Sequence, residues 1–498
     1  MATEETPLLH QPADAECIES DSRPKAAILR EELWTLVRFA LPIFGTQTLE
    51  YTLVSASVIS IGHLSTTALA GITLGSMTSN VTGYSIIQGL ASALDTMLPS
   101  AWTSPQPHLV GLWSQRMMLV IFASLIPMYI AWFNAETILL SLKQDPEVAH
   151  LAAVYLRWIS LGLPAYAFNS ISRRYFQSQG LFAAPTRIVL AVAPINLLLN
   201  WLLVWGPEPV RLGYIGAPIA TAISFNLISI MSIMYGILYA PRTAWCPPSR
   251  RMFSNLGILV RLGLSGVGQT TCEWWAWELI GLAASLLGPA ALAAQSILII
   301  SGTTTYQAPY ALSVATAVRI GNLLGEGNAK RAGVTSTTAM LLALTIGLLN
   351  STMFVVFRKN WAYIFNDDPE VVGLVASVMP IVALFQVFDG MAGITGGIMR
   401  ARGLQFLGAI FNFSAYYMLG IPLALFFTFK LHMDLYGLWL GLTFSLVYCA
   451  AAGTYVSLRT NWDSEVEKAA ERVRAEERER LEEIRVATAT EEAEAESV

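Results

Sequence analysis

Residues 290–319, AALAAQSILIISGTTTYQAPYALSVATAVR, carry no charge until their last residue, Arg319. A helix crosses a bilayer in about 20 apolar residues at about 1.5 Å each, so this stretch is long enough to span one. Shifted back by 223 positions, its opening Ala290-Ala291-Leu292-Ala293-Ala294 falls on Thr67-Ala68-Leu69-Ala70-Gly71. The same shift carries Gly268 onto Gly45, Glu273 onto Glu50, and Arg400-Ala401-Arg402-Gly403 onto Gln177-Ser178-Gln179-Gly180. One register held from Gly45 to Gly180 is the mark of an internally duplicated membrane fold.

The rest of the chain fits that reading. Of 498 residues, 54% are apolar and only 13% charged, against about a quarter charged in soluble proteins. Apolar segments fall near 35–61, 66–98, 116–139, 150–176, 184–205 and 215–240, then near 254–287, 290–319, 331–357, 370–398, 405–429 and 434–458. The expected fold is an all-α polytopic membrane protein with twelve transmembrane helices in two pseudo-symmetric six-helix lobes. Residues 1–33 read as a disordered tail, 34–240 as the N-lobe, 241–458 as the C-lobe and 459–498 as a charged tail. Glu/Arg pairs at i,i+3 and i,i+4 after Asn461 predict a helix there, solvated because few of its positions are apolar. An even number of spans per half makes the repeats parallel, and two such lobes leave a cavity that can open to either side.

Lysine and arginine set the orientation. The loops on the N-terminal side are expected to hold Arg116, Arg173, Arg174, Arg187, Arg242, Arg250, Arg251, Arg261, Arg319, Lys330, Arg331, Arg400 and Arg402. Those opposite hold only Lys143, Arg211, Arg358, Lys359 and Lys430, which places both termini in the cytoplasm. The N-terminal segment has no apolar h-region, so the first span is expected to serve as the targeting signal. Glu4-Glu5-Thr6-Pro7-Leu8-Leu9 matches an acidic dileucine sorting signal or is a chance match in a polar tail, and vacuolar and plasma membranes both stay open.

Several function classes drop out. The four cysteines, Cys17, Cys246, Cys272 and Cys449, are scattered and the histidines isolated, so neither a disulfide framework nor a metal site is expected. No basic stripe suggests nucleic acid. The glycine-rich Gly321-Asn322-Leu323-Leu324-Gly325-Glu326-Gly327-Asn328 lacks the Lys-Ser/Thr of a phosphate-binding loop. Neither an ATP-driven pump nor an enzyme is indicated, no cofactor is expected, and the chain is expected to act as a monomer.

Ionisable residues inside spans are costly and mark function. They are Glu50 in span 1, Asp95 late in span 2, Glu273 and Glu278 in span 7, and Asp389 in span 10. Span 7 reads Thr271-Cys272-Glu273-Trp274-Trp275-Ala276-Trp277-Glu278, two carboxylates interleaved with three indoles. Indole faces attract cations and the acids supply charge, a pocket suited to an amphipathic cation. Packing alone would also account for the indoles, with one acid paired to a buried arginine. Trp274 and Trp277, with Gln295, Tyr306 and Gln307 of span 8, are the candidate cavity residues, and Asp95 the candidate gate. Proton and substrate competing for one buried acid would give antiport by reciprocal linkage.

These residues resemble the multidrug and toxic compound extrusion (MATE) transporters. The resemblance runs from about Leu41 to Leu458. It is carried by Ala40-Leu41-Pro42, Gly62-His63-Leu64, Gln88-Gly89-Leu90 and Ala93-Leu94-Asp95-Thr96 in the first half. In the second half it is carried by Glu273-Trp274-Trp275 with Glu278, Val318-Arg319-Ile320-Gly321-Asn322, Asp389 and Gly396-Gly397-Ile398-Met399-Arg400. SMTSNVTGY and SGTTTYQAPYALSVAT are most similar to the fungal branch. The resemblance implies a V-shaped pair of lobes exporting small organic molecules against protons, with sodium open as the coupling ion. It places the coupling carboxylates at Glu273, Glu278 and Asp389. Span 2 departs from the family's usual Gln-Ala-x-Gly ending, reading Leu98-Pro99-Ser100-Ala101-Trp102, and Glu50 is an uncommon acid at its position. A lipid-linked substrate flippase would favour a strongly cationic cavity, and a transport-inactive sensor or scaffold would show no gradient-driven flux.

Overall fold

The computed structural model describes residues 24–62 and 64–496, and every regular element among them is helical. The candidate sorting motif at 4–9 lies outside these residues. Spans 1 to 6 are Lys25–Gly62, 66–102, Leu109–Phe133, Pro146–Ser178, Ala183–Trp205 and Gly213–Tyr239. Spans 7 to 12 are Leu256–Ser285, Pro289–Gly325, Ala329–Phe357, Pro369–Arg402, Gln405–Lys430 and Asp434–Leu458. A further helix, Trp462–Glu496, follows.

Eight of these rods, spans 3–6 and 9–12, are long and apolar enough to cross a membrane on length and composition. Spans 1, 2, 7 and 8 are long but richer in Thr, Ser, Gln and Gly. These four make most of the contact between the lobes, span 1 against span 8 and span 2 against spans 7 and 8. A helix shielded from lipid by a neighbour and facing a polar cleft need not be apolar all round.

The duplication is visible in local geometry. Asp145 caps span 4, its Oδ1 accepting from Glu147 N at 3.0 Å, and Asp368 caps span 10 by accepting from Glu370 N at 2.9 Å. Each cap precedes a proline at the first helical position, where no backbone donor is lost. Asp368 lies 223 positions after Asp145. Likewise a Cβ on Gly45 would sit 3.3 Å from Thr186, and one on Gly268 would sit 3.3 Å from Ala409, the same two positions moved by the same shift. Gly180 and Gly403 both end their helices at φ +79°, the left-handed cap that glycine adopts without strain.

Glycine also lets the lobes meet. A Cβ on Gly266 of span 7 would overlap the Gly89 carbonyl oxygen and Ser92 Oγ of span 2, so the backbones touch directly. Gly266→Ala is therefore expected to cost about 1–3 kcal/mol in overpacking, seen as a lower Tm in detergent. Gly257→Ala in the same span, where a Cβ meets open space, should leave Tm unchanged. The altered end of span 2 is accommodated in the same way. Pro99 packs against Gly321 of span 8, whose own Cβ would lie 2.7 Å away, and Thr103 Oγ1 donates to the Asn322 carbonyl at 2.7 Å.

Three expectations change. The helix of span 1 starts at Lys25, and Glu32 within it is fully buried, so residues 25–33 are structured. Arg116, Arg173, Arg174, Arg319, Arg400 and Arg402 lie within helices rather than loops, buried or half-buried against carboxylates. They cluster toward the end of the bundle where the start of span 1 and the start of the last helix pack on the start of span 9, hereafter the terminal side. The first part of the helix Trp462–Glu496, over 462–482, is solvated on one face only, since Glu465, Ala469 and Glu476 are buried against that side. Sequence periodicity hides this because the docking face is built from charges as well as apolar groups.

Candidate functional site

The lobes enclose a polar cavity of about 160 Å³. Its C-lobe wall carries Glu273 and Trp274 from span 7, Tyr306 from span 8, Asp389 from span 10, and Asn412 and Tyr416 from span 11. Spans 7 and 10 bring the two carboxylates to the wall of the same cavity. Asn412 Nδ2 donates to the Gln269 carbonyl at 2.9 Å and pins span 11 to span 7 beside them.

The N-lobe wall is built of guanidinium–carboxylate pairs. Arg173 binds Glu50 and donates to Gln47 Oε1 at 3.0 Å. Arg174 Nε donates to Asp95 Oδ1 at 2.8 Å, while its terminal nitrogens approach Gln88 Oε1 at 3.3 Å. Gln88 Nε2 in turn donates to Tyr166 Oη at 2.9 Å. Both carboxylates and both amide oxygens thus meet a guanidinium, as burial requires.

Arg400, in the last turn of span 10, joins the two walls. Its Nε lies 3.4 Å from Asp95 Oδ2, its Nη2 donates to Ser313 Oγ at 3.0 Å, and its charge reaches Glu273. Thr96 Oγ1 donates to the Arg400 carbonyl, and Gln405 Nε2 donates to Thr96 Oγ1 at 2.8 Å. Nearer the end, Glu32 of span 1 accepts from Arg319 at 2.9 and 2.7 Å, and also binds Arg331 and Thr335 of the C-lobe. The terminal end of the cleft is closed by charge as well as by packing.

The expected site residues divide. Glu273, Trp274, Tyr306, Asp389 and Asp95 share the one cavity, and Glu50 stands behind it through Arg173. Besides Glu50, four more do not line it. Trp277 packs edge-on against Phe385 and Trp439 in the C-lobe core, and Gln295 is buried there, accepting from Trp439 Nε1 at 2.7 Å. Gln307 Nε2 folds back to the Thr303 carbonyl at 3.2 Å. Glu278 is half-buried outside the lining set: the five residues separating it from Glu273 turn it about 140° round the helix. Arg173, Arg174, Arg400, Gln88 and Asn412 were not singled out as site residues. No residue pattern marks them, since even the Arg174 Nη1 contact to position 170, at 3.0 Å, is to a backbone carbonyl that any residue would present.

A duplicated helical bundle of membrane-spanning length that gathers charged side chains in a cleft between its halves has the build of a membrane transporter. The family model described as MatE matches residues 42–202 and 267–426, one stretch in each lobe. The chain belongs to this family of transporters. It is 38% identical over 468 residues to an uncharacterized transporter of Schizosaccharomyces pombe, covering 94% of this chain and 86% of that protein. It is 33% identical over 444 residues to multidrug and toxin extrusion protein 2 of Mus musculus, covering 89% of this chain and 77% of the relative. The crystal structure of a eukaryotic MATE transporter superposes with a TM-score of 0.84 at 29% identity, over 90% of this chain and 100% of that one.

Proposed function

We propose that the protein is a secondary active antiporter that exports amphipathic, cationic organic small molecules, xenobiotics or toxic metabolites, by alternating access in exchange for protons. The observation that carries this is the pair Glu273 and Asp389 facing one confined cavity beside Trp274 and Tyr306. Two carboxylates in one such space repel when both are ionised, so a bound proton and a bound cation relieve the same cost. Each then weakens the other, which is exchange by linkage. The aromatic groups add an apolar and cation-attracting face. The mouse relative's name, multidrug and toxin extrusion protein, supports the substrate class. On this reading the terminal side is cytoplasmic, and the protein works as a monomer in the vacuolar or plasma membrane.

Purified protein in liposomes tests the proposal, with a fluorescent organic cation and an imposed pH gradient. Native protein is expected to drive uptake, and Glu273→Gln to reduce it about tenfold. Uptake that follows a sodium gradient alone, or persists unchanged in the variant, would overturn proton exchange at this pair.

A second reading rests on Arg173, Arg174 and Arg400, which line the same cavity and would suit the phosphate of a lipid-linked substrate. Glu50 and Asp95 engage all three, so the wall lacks the strong positive charge such a flippase needs, and the first reading stands ahead.

A further inference from the structure

The helix Trp462–Glu496 is fastened at two places on the terminal side. At its start, Trp462 packs on Gly333 of span 9 and lies under the Arg402 guanidinium, 5.9 Å from ring centroid to Cζ. Glu465 Oε1 accepts from Arg402 at 3.4 Å and from Lys468 at 2.9 Å. Arg472 donates to the Arg402 carbonyl at 3.1 Å, and Ala469 joins the C-lobe apolar cluster. Three turns on, the same helix reaches the N-lobe. Glu476 Oε1 and Oε2 each accept from Arg116 of span 3 at 2.8 Å, while Arg251 at 3.3 Å and Asn255 at 3.4 Å reach the same carboxylate from the segment that leads into span 7. Arg116 is 0% exposed and Glu476 3%. Val473, between the two anchors, packs on the N-lobe core.

Opening the cleft on the terminal side separates these anchors. Glu465 and Glu476 stand about 16 Å apart along a helix that cannot stretch. The helix follows span 12 after only a short connection, so it stays with the C-lobe. The bond that must yield is therefore the one to Arg116, and its loss leaves a buried guanidinium without its carboxylate, a costly state.

We infer that Glu476 and Arg116 are positioning residues of the transport cycle: through them the C-terminal helix straps the C-lobe to the N-lobe, holds the terminal side closed, and must let go of span 3 for that side to open. This rests on the alternating-access reading above. It adds a step that the cavity residues do not contain.

Access to Cys449, which lines the cavity, reads the strap directly and needs no transported substrate. The full-length chain, with Cys17, Cys246 and Cys272 changed to serine, is placed in liposomes. A membrane-impermeant maleimide is then applied to one face at a time. Glu476→Gln keeps one hydrogen-bond acceptor for Arg116 and removes the charge and the second acceptor. It is expected to speed labelling from the terminal side about tenfold and to slow it from the opposite side. Glu465→Gln, at the end already held by span 12, is expected to change both rates less than twofold, a gap of the size typical of coupling between sites. Glu476→Asp, shorter but still charged, should recover most of the native rate. Equal rates in native and Glu476→Gln protein, or equal effects at Glu465 and Glu476, would overturn the strap. Since labelling is independent of flux, a protein that transports nothing in the assay above would still report on it. Failure of the antiport proposal is thus told apart from failure of this one.

Discussion

Asp389→Asn is expected to lower pH-gradient-driven flux about a hundredfold, while exchange of labelled for unlabelled substrate at equal pH falls only severalfold. The amide keeps the shape and polarity of the carboxyl but cannot take up and release a proton within the cycle. The effect should exceed that of Glu273→Gln because the two acids are not equally supported. Glu273 has the positive charge of Arg400 near it, whereas Asp389 faces the negative charge of Glu273. A hundredfold loss corresponds to about 2.7 kcal/mol of transition-state stabilisation. Glu278→Gln, off the cavity, should cost less than threefold. Equal losses at Glu278 and Asp389 would mean that the cavity wall does not define the coupling site.

The fold was legible because two independent signals agreed: length and hydropathy of the segments, and one shift that aligned the halves. Hydropathy is weakest at spans 1, 2, 7 and 8, and that weakness is itself physical, since these helices face one another across the cleft. The acids of the site could be found because carboxylates in a span have few bland explanations. The arginines could not. Arg116, Arg174 and Arg400 sit near helix ends, where a positive charge is explained equally well by membrane orientation, and only the tertiary fold shows which of them turn inward to a carboxylate. Trp277 and Gln295 failed for a related reason. An indole or an amide in a span fits a cavity wall and a packed lobe core alike, and here Trp439 and Phe385 claim them for the core. The Glu/Arg pattern after Asn461 reads as a solvated helix because a docking face made of ion pairs has the composition of a surface.

Asp95→Asn is expected to abolish concentrative uptake, bringing the steady-state ratio of substrate inside to outside close to one, with the protein still folded and still binding substrate. Asp95 lies between Arg174 of its own lobe at 2.8 Å and Arg400 of the other at 3.4 Å. Removing its charge withdraws an attraction across the cleft and also leaves two guanidiniums facing each other with no shared counter-ion. Losing one partner of a fully buried pair costs about 3–5 kcal/mol. At 14% exposure for Asp95 and 13–19% for the arginines, screening reduces that to about 1–2 kcal/mol, a shift of roughly five- to thirtyfold in the closed-to-open ratio. Arg400→Gln removes the inter-lobe attraction but leaves Asp95 paired with Arg174, so it should leak less than Asp95→Asn. Were the gate only a steric plug of Pro99 on Gly321, neither change would matter. Were Arg400 needed only for its charge near Glu273, Arg400→Gln would be the more damaging of the two. Flux of the fluorescent cation down its own gradient, with no pH difference, orders the three cases: fastest in Asp95→Asn, intermediate in Arg400→Gln and slowest in the native chain if the charge on Asp95 is what keeps the terminal side shut.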